Sequence, residues 1–434
     1  MCLSRHTLQV VASAKSREAK RRFKLVPRMF EPRVLQLRSD LRAVLADLRG
    51  ERAQAWSARD GSRYAATKPV GLATRELEIM SVTQETDAAV SLVLRDPGGG
   101  LVPQVRPGQF FALLVELDGE VLRRAYSVSS DCRVREKLSV TIKRVTGGRV
   151  SNYLNDHAAP GMRLRVLGPS GEFGCQPQAE RSQARKLVLI AGGSGITPMM
   201  ALLRTLLPVE RGCEIALVYA NRSATDVIFA NAIAQLQAEH APRLTVHALL
   251  EHAPSEWSAP ERGQWLGRCD ATTLARVLDQ VPLARDPNAT FLLCGPAPMM
   301  AGASELLRAR DVPAARIRSE HFVAPQLHTD ATTKLRAPMP VTIMAAQREL
   351  AVVVQPGQTL LEAGLAAGID MPYSCAMGGC AACKVELVDG EVIQREPNCL
   401  DPAERARGYV LACVANPTTA CRVRLPAART RDQG

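Results

Sequence analysis

Four cysteines near the C-terminal end carry the most specific chemistry in this sequence. Cys375, Cys380 and Cys383 follow a C-x4-C-x2-C spacing, and 29 residues separate Cys383 from Cys413. Four thiolates at that spacing suit a two-iron, two-sulfide cluster. The residues between them are Ala376, Met377, Gly378, Gly379, Ala381 and Ala382. Small residues let a loop wrap a cluster and turn backbone N–H groups toward its sulfurs. A four-cysteine zinc centre is the competing chemistry, but it usually draws on two C-x2-C pairs. Cys413 has only Cys421, eight residues on, as a cysteine neighbour. Cys399 fits no ligand position and reads as a buried thiol.

Two further segments suit dinucleotides. Arg124-Ala125-Tyr126-Ser127 follows an apolar strand, and Gly147-Gly148-Arg149-Val150-Ser151 comes soon after. A flavin dinucleotide needs a cation for its pyrophosphate, an aromatic face and a donor near the reacting ring nitrogen. Arg124, Tyr126 and Ser127 supply these in turn. Gly148 to Ser151 suits the start of a helix whose N–H groups face phosphates. Further on, the apolar strand Leu187 to Ala191 feeds Gly192-Gly193-Ser194-Gly195-Ile196-Thr197-Pro198 and then a helical stretch from Met199 to Leu207. Strand, glycine turn and helix start make a pyrophosphate cradle. Cys294-Gly295-Pro296-Ala297-Pro298-Met299 ends a later apolar strand, where ligands gather in α/β sheets.

These segments require elements to hold them. The chain has 434 residues, 46% hydrophobic and 23% charged, which suits two to four globular domains. The formal net charge is +12, yet residues 1–68 hold 16 Lys and Arg against 6 Asp and Glu. The body is therefore nearly neutral, and nucleic acid is not an expected partner. Twelve cysteines are too sparse for a disulfide scaffold, and no secretory signal or membrane span is visible. A reducing cytoplasm is the expected location.

Residues 1–75 read as a basic extension, with amphipathic helix spacing between Val34 and Leu48. It reads as a helix packed on the next domain, as an upstream stretch before a later start at Met29 or Met80, or as a docking or membrane-surface arm. Residues 76–178 show short strands such as Ala88 to Leu94 and Leu138 to Ile142, separated by turns, which predicts an antiparallel β-barrel. Residues 183–323 alternate strands (Glu214 to Tyr219, Thr245 to Leu250, Thr290 to Leu293) with helices, which predicts a doubly wound parallel α/β sheet. Residues 324–338 read as a linker and 339–426 as a small separate unit around the cysteines.

The R-x-Y-S and G-x-x-S segments, in this order on a predicted barrel, resemble the ferredoxin–NADP reductase family. The G-G-x-G-I-T-P heptapeptide looks like that family's coenzyme turn. The unit containing Met371-Pro372-Tyr373-Ser374-Cys375 and Val410-Leu411-Ala412-Cys413 resembles a plant-type ferredoxin domain, an α+β β-grasp fold. The resemblance implies FAD, with contacts from Arg124, Ala125, Tyr126, Ser127, Gly147, Gly148, Val150 and Ser151. It implies a nicotinamide coenzyme held by Gly192, Gly193, Gly195, Ile196, Thr197, Pro198, Gly295 and Met299, with Cys294 beside the nicotinamide. Glu320-His321-Phe322 resembles the family's E-x-F element, which suggests Phe322 as a ring contact. Ser127, Cys294 and Phe322 are thus the expected catalytic contacts. Arg222 and Ser223 suit a 2′-phosphate, leaning the coenzyme toward NADPH over NADH; alternatively they are solvated loop residues.

The implied activity is electron transfer from NAD(P)H through FAD and a 2Fe–2S cluster to a separate oxygenase, hydroxylase or desaturase. A stand-alone flavin reductase, a reductase of a hybrid-cluster acceptor, and a docked interaction protein using the basic arm are the alternatives. Any membrane contact is expected only through that arm.

Overall fold

A computed structural model of the protein describes residues 72–180, 183–253, 263–322, 337–346, 348–396, 398–400 and 402–426. All of them belong to one compact unit. The amphipathic stretch from Val34 to Leu48 and the linker residues 324–336 lie outside the described residues. Among those described, no helix is long and apolar enough to cross a membrane.

The first layer is antiparallel. Strands β1 (Arg75–Thr86), β2 (Ala89–Arg95), β3 (Phe110–Leu117), β4 (Glu120–Ser127), β5 (Leu138–Lys143) and β6 (Arg163–Ser170) form one sheet in the order β4-β3-β6-β1-β2-β5. A bridge between Val128 and Val140 joins the two edge strands, so the sheet closes into the expected barrel. Helix α1 (Arg149–His157) packs Val150 and Leu154 into the barrel core with Phe111, Leu113 and Ile142. Along β3 the alternate residues Phe110, Ala112 and Leu114 point outward, yet they are also buried. That is why this strand is apolar throughout.

The second layer is a parallel sheet of β7 (Lys186–Gly192), β8 (Glu214–Asn221), β9 (Leu244–Leu250), β10 (Gln264–Leu266), β11 (Thr290–Cys294) and β12 (Ile317–Glu320). Their order is β10-β9-β8-β7-β11-β12. Helices α2 (Ile196–Val209), α3 (Ala230–His240), α4 (Ala271–Asp279) and α5 (Ala297–Ala309) connect them. Asp270 caps α4, its side chain accepting from the Thr273 N–H at 2.8 Å. The strand order reverses between β7 and β11, where Ala191 pairs with Cys294. The crevice beyond those two strand ends is where such sheets bind ligands. Arg204 on α2 ties this domain to the barrel by donating to the Ser129 carbonyl at 2.6 Å.

The third unit has β13 (Met339–Ala345), β14 (Arg348–Val354), helix α6 (Leu360–Ala366), β15 (Lys384–Asp389), β16 (Val392–Gln394), a short α7 (Pro402–Ala406), β17 (Tyr409–Leu411), β18 (Ala415–Pro417) and β19 (Cys421–Arg424). The main sheet runs β14-β13-β19-β15-β17, with β13 and β19 parallel. Helix α6 starts at a capping box: Thr359 accepts from the Glu362 N–H, and Glu362 accepts from the Thr359 N–H. Leu360 and Leu361 of α6 bury in the same apolar cluster as Val341, Ile343 and Val423 of the sheet. That cluster continues into the outward residues of β3 and into Leu167 of β6.

Candidate functional site

The cysteine loop runs from the end of α6 into β15. Ala376, Gly378 and Ala381 have φ of 52°, 79° and 55°, so three of its residues sit in the left-handed region. A side chain at Gly378 would meet Val414 at 3.2 Å, so glycine suits both the conformation and the space. Cys375, Cys383 and Cys413 are buried and Cys380 is half-buried. Their sulfurs fall into two pairs, Cys375 with Cys380 and Cys383 with Cys413, each thiol acting on its partner's proton. The Gly378 N–H donates to Cys413 Sγ at 3.1 Å and the Cys375 N–H to Cys380 Sγ at 3.5 Å. Cys375 is held down to about 6, first by the Cys380 thiol and then by N–H groups of Met377, Gly379 and Cys380. Cys383 is lowered in the same way by Cys413. Within each pair one sulfur is held toward the thiolate and its partner, Cys380 or Cys413, is pushed up, so each pair shares a proton, and two such pairs suit two irons with two ligands each. No set of three or more His, Cys, Asp or Glu among the described residues closes around a single ion. Cys399 is half-buried beside the loop, its N–H donating to the Gly378 carbonyl at 2.9 Å, and burial pushes its thiol up to about 11.

The R-x-Y-S residues lie at the end of β4, next to the crevice. Tyr126 is half-buried against the barrel core, and its partial removal from water raises its phenol above the ordinary value, with Arg124 opposing the shift. Gly148 is the N-cap of α1 and no side chain caps it, leaving N–H groups of the first turn for an anion. A side chain at Gly148 would stand 2.5 Å from Ser151 Oγ, so the turn closes only around glycine. Ser151 accepts from the Val145 N–H at 3.2 Å and so also fixes this turn. These features fit the phosphate end of a flavin dinucleotide.

Ser127 faces the other way along the strand. Its Oγ donates to Glu320 Oε2 at 3.1 Å. Glu320 ends β12, in register with Cys294 at the end of β11. Burial pushes the Glu320 carboxyl up to about 8, with the Ser127 hydroxyl opposing the shift. Burial, reinforced by Glu320, raises the Cys294 thiol far above its ordinary value. Ser127, Glu320 and Cys294 thus meet at the crevice, all three protonated near neutral pH. Within the E-x-F element it is Glu320 that enters this group, whereas His321 and Phe322 are exposed. Phe322 is 42% exposed.

The glycine turn is built by close approach. A side chain on Gly195 would stand 2.0 Å from the Cys294 carbonyl, and one on Gly192 would meet Met299 at 2.7 Å. Gly295 packs against Met299 and Gly192 in return. The two predicted coenzyme segments are therefore one surface. Ile196, Thr197 and Pro198 are buried in the first turn of α2, and Thr197 donates to the Ser194 carbonyl at 3.0 Å. Tyr219 donates to the Gly193 carbonyl at 3.1 Å.

Lys143, at the end of β5, reaches over this turn from the barrel. Its Nζ lies 3.3 Å from where a side chain on Gly193 would begin. Burial lowers its pKa, with Asp226 opposing and Arg222 adding to the shift. Arg222 is 3.3 Å from Asp226 Oδ1, and Ser223 donates to Asp226 Oδ2 at 2.7 Å. Sequence reasoning missed Lys143, Tyr219, Asp226 and the role of Glu320. Only Glu320 had a local signal, its place in E-x-F.

Fold and site define an oxidoreductase that takes electrons from a nicotinamide coenzyme onto FAD and on to a 2Fe–2S cluster. Residues 78–174 match the oxidoreductase FAD-binding domain family, 189–305 the oxidoreductase NAD-binding domain family, and 343–418 the 2Fe-2S iron-sulfur cluster binding domain family. The chain is 35% identical over 354 residues to a component of the 1,2-phenylacetyl-CoA epoxidase of Escherichia coli, covering 79% of this chain and 95% of that one. It is also 35% identical over 364 residues to the ferredoxin reductase component of 3-ketosteroid-9-alpha-monooxygenase of Mycobacterium tuberculosis, covering 81% and 95%. The solved structure of phthalate dioxygenase reductase shares the fold, with a TM-score of 0.54 at 23% identity over 81% of this chain and 97% of that one. The chain belongs to the ferredoxin–NADP reductase superfamily, in the branch that carries a fused C-terminal 2Fe–2S ferredoxin domain.

Proposed function

We propose that this chain is the reductase component of an oxygenase system, handing single electrons from its cluster to a separate terminal oxygenase. The observation that supports this reading is the course of the cysteine loop. One flank, Ala376 and Met377, is buried in the apolar cluster shared with the barrel, while Gly379 to Ala381 are half-buried and Ala382 is exposed. The covered flank would face the electron donor and the open edge the acceptor. When bound, FAD accepts hydride and releases its two electrons one at a time to the iron–sulfur centre.

The chain's own residues orient and insulate that chemistry. The proposed flavin contacts are Arg124 to Ser127 with Gly147, Gly148, Val150 and Ser151. Ser127 and Glu320 hold a proton between them that would be available to a flavin bound at the crevice, since a carboxyl pushed up to about 8 stays protonated at neutral pH. Cys294, neutral and buried, gives the nicotinamide a shaped wall rather than a nucleophile. Gly192, Gly193 and Gly195 let the coenzyme pyrophosphate approach the backbone, and Lys143 supplies charge from the barrel side.

For the coenzyme, Asp226 favours NADH. Its carboxylate already engages Arg222 and Ser223, the two residues suited to a 2′-phosphate. A phosphate there meets like charge, whereas ribose hydroxyls can donate to the carboxylate.

The test is anaerobic titration of the purified protein with NADH and NADPH, followed by absorption and low-temperature EPR. Flavin bleaching together with a rhombic 2Fe–2S signal is expected. Flavin bleaching without that signal would overturn the electron chain and leave a flavin reductase.

A further inference from the structure

We propose that Arg123 is a positioning residue for electron transfer, clamping the cysteine loop to the flavin barrel at the residue after Cys375. The inference rests on the flavin-to-cluster reading above. Arg123 is on β4 opposite Leu114, on the outward face that the ferredoxin domain covers. Its side chain bonds across the domain boundary. Nη1 donates to the Ala376 carbonyl at 3.2 Å, and Nη2 lies 3.3 Å from Glu362 Oε1. The other oxygen of Glu362, Oε2, accepts from the Thr359 N–H in the capping box of α6. One carboxylate therefore fixes both the helix start and the arginine.

On the other side of Cys375, Ser374 Oγ and Ser170 Oγ are 2.6 Å apart, and Ser170 ends β6 of the barrel. Residues 374 and 376 are thus both held by the barrel, with Cys375 between them. Tyr373 adds a third tie, its hydroxyl accepting from the Ala73 N–H at 2.9 Å. The rest of the boundary is apolar, formed by Phe110, Ala112, Leu114 and Leu167. Apolar burial is non-directional and favours contact without choosing a register. Directional bonds choose it. Arg123 reaches the loop at a cost, because its Nε is buried without a partner. A position selected for barrel stability alone gains nothing from that geometry. It makes sense where the placement of the Cys375 end of the cluster decides how fast electrons arrive.

The test uses the full-length holoprotein with Arg123→Ala and, separately, Glu362→Gln. Anaerobic stopped-flow mixing with NADH reads flavin bleaching and cluster reduction as separate signals. Flavin bleaching should stay at the wild-type rate in both variants. Cluster reduction should slow about tenfold in Arg123→Ala, as the docked fraction falls toward a tenth, and less in Glu362→Gln. Hydrogen exchange of the amides at 374–377 should quicken in both, while the EPR signal of chemically reduced protein is unchanged. Cluster reduction at the wild-type rate in Arg123→Ala would overturn the proposal. So would equal slowing of flavin bleaching, which would put Arg123 in the flavin site, or loss of the EPR signal, which would make it a support of the cluster itself. A wild-type cluster that coenzyme never reduces would instead overturn the electron-chain reading.

Discussion

Replacing Glu320 by glutamine isolates the effect of one buried proton. Glu320 is 8% exposed and its carboxyl is pushed from an ordinary 4.5 up to about 8 by burial. The group that bears on it is the Ser127 hydroxyl, on β4, while the Cys294 thiol on the neighbouring strand is raised in turn by Glu320. The folded protein holds this proton more tightly than the unfolded chain does. The associated stability is therefore complete below about pH 4.5 and is lost as pH rises toward and through about 8. At 1.36 kcal/mol per pH unit, the whole interval is worth roughly 5 kcal/mol, of which about 4 kcal/mol falls between pH 5 and 9. Glutamine keeps the shape and can still accept from Ser127, but it has no proton to lose. Thermal unfolding of the full-length holoprotein, followed by flavin release across that pH range, should show the wild type falling behind Glu320→Gln by about 4 kcal/mol. Parallel curves for the two proteins would refute the argument. They would mean that water reaches Glu320 and that it is an ordinary carboxylate.

The same variant should slow flavin bleaching by NADH about a hundredfold at pH 7 if the Glu320–Ser127 pair serves the reaction as a proton store, read by stopped flow. Cys380→Ser should abolish the iron–sulfur EPR signal while sparing coenzyme-driven ferricyanide reduction by the flavin. Asp226→Asn should raise the ratio of kcat/KM for NADPH over NADH about tenfold by removing one like charge from the 2′ position, and steady-state kinetics with both coenzymes checks it. Lys143→Ala should raise KM for both coenzymes by a similar factor, about tenfold, because a shared pyrophosphate is the group it faces.

Much of this protein was legible in short stretches of sequence. The cysteine spacing, the R-x-Y-S strand and the glycine turn each compress a cofactor's demands into fewer than ten neighbouring residues, so they survive reading in one dimension. Strand and helix alternation was equally local, and the observed β7, β8, β9 and β11 match the expected strands to within two residues at each end. The segments Gly192 to Pro198 and Cys294 to Met299 are each legible alone, and the structure adds the close packing that makes them one surface.

The tertiary structure decided which distant groups meet. Ser127 and Glu320 are 193 positions apart, and Arg123 and Ala376 are 253 apart. The first pair depends on β12 lying in register beside β11, and on that sheet docking against the barrel. The second depends on which face of β3 and β4 is covered, and a strand apolar on both faces does not reveal this. Lys143 carried no signal because its partner, Gly193, belongs to another domain. Cofactor loops are encoded where backbone geometry is local, whereas proton stores and interdomain clamps arise from strand register and domain packing. Those are set by the summed burial of the whole chain.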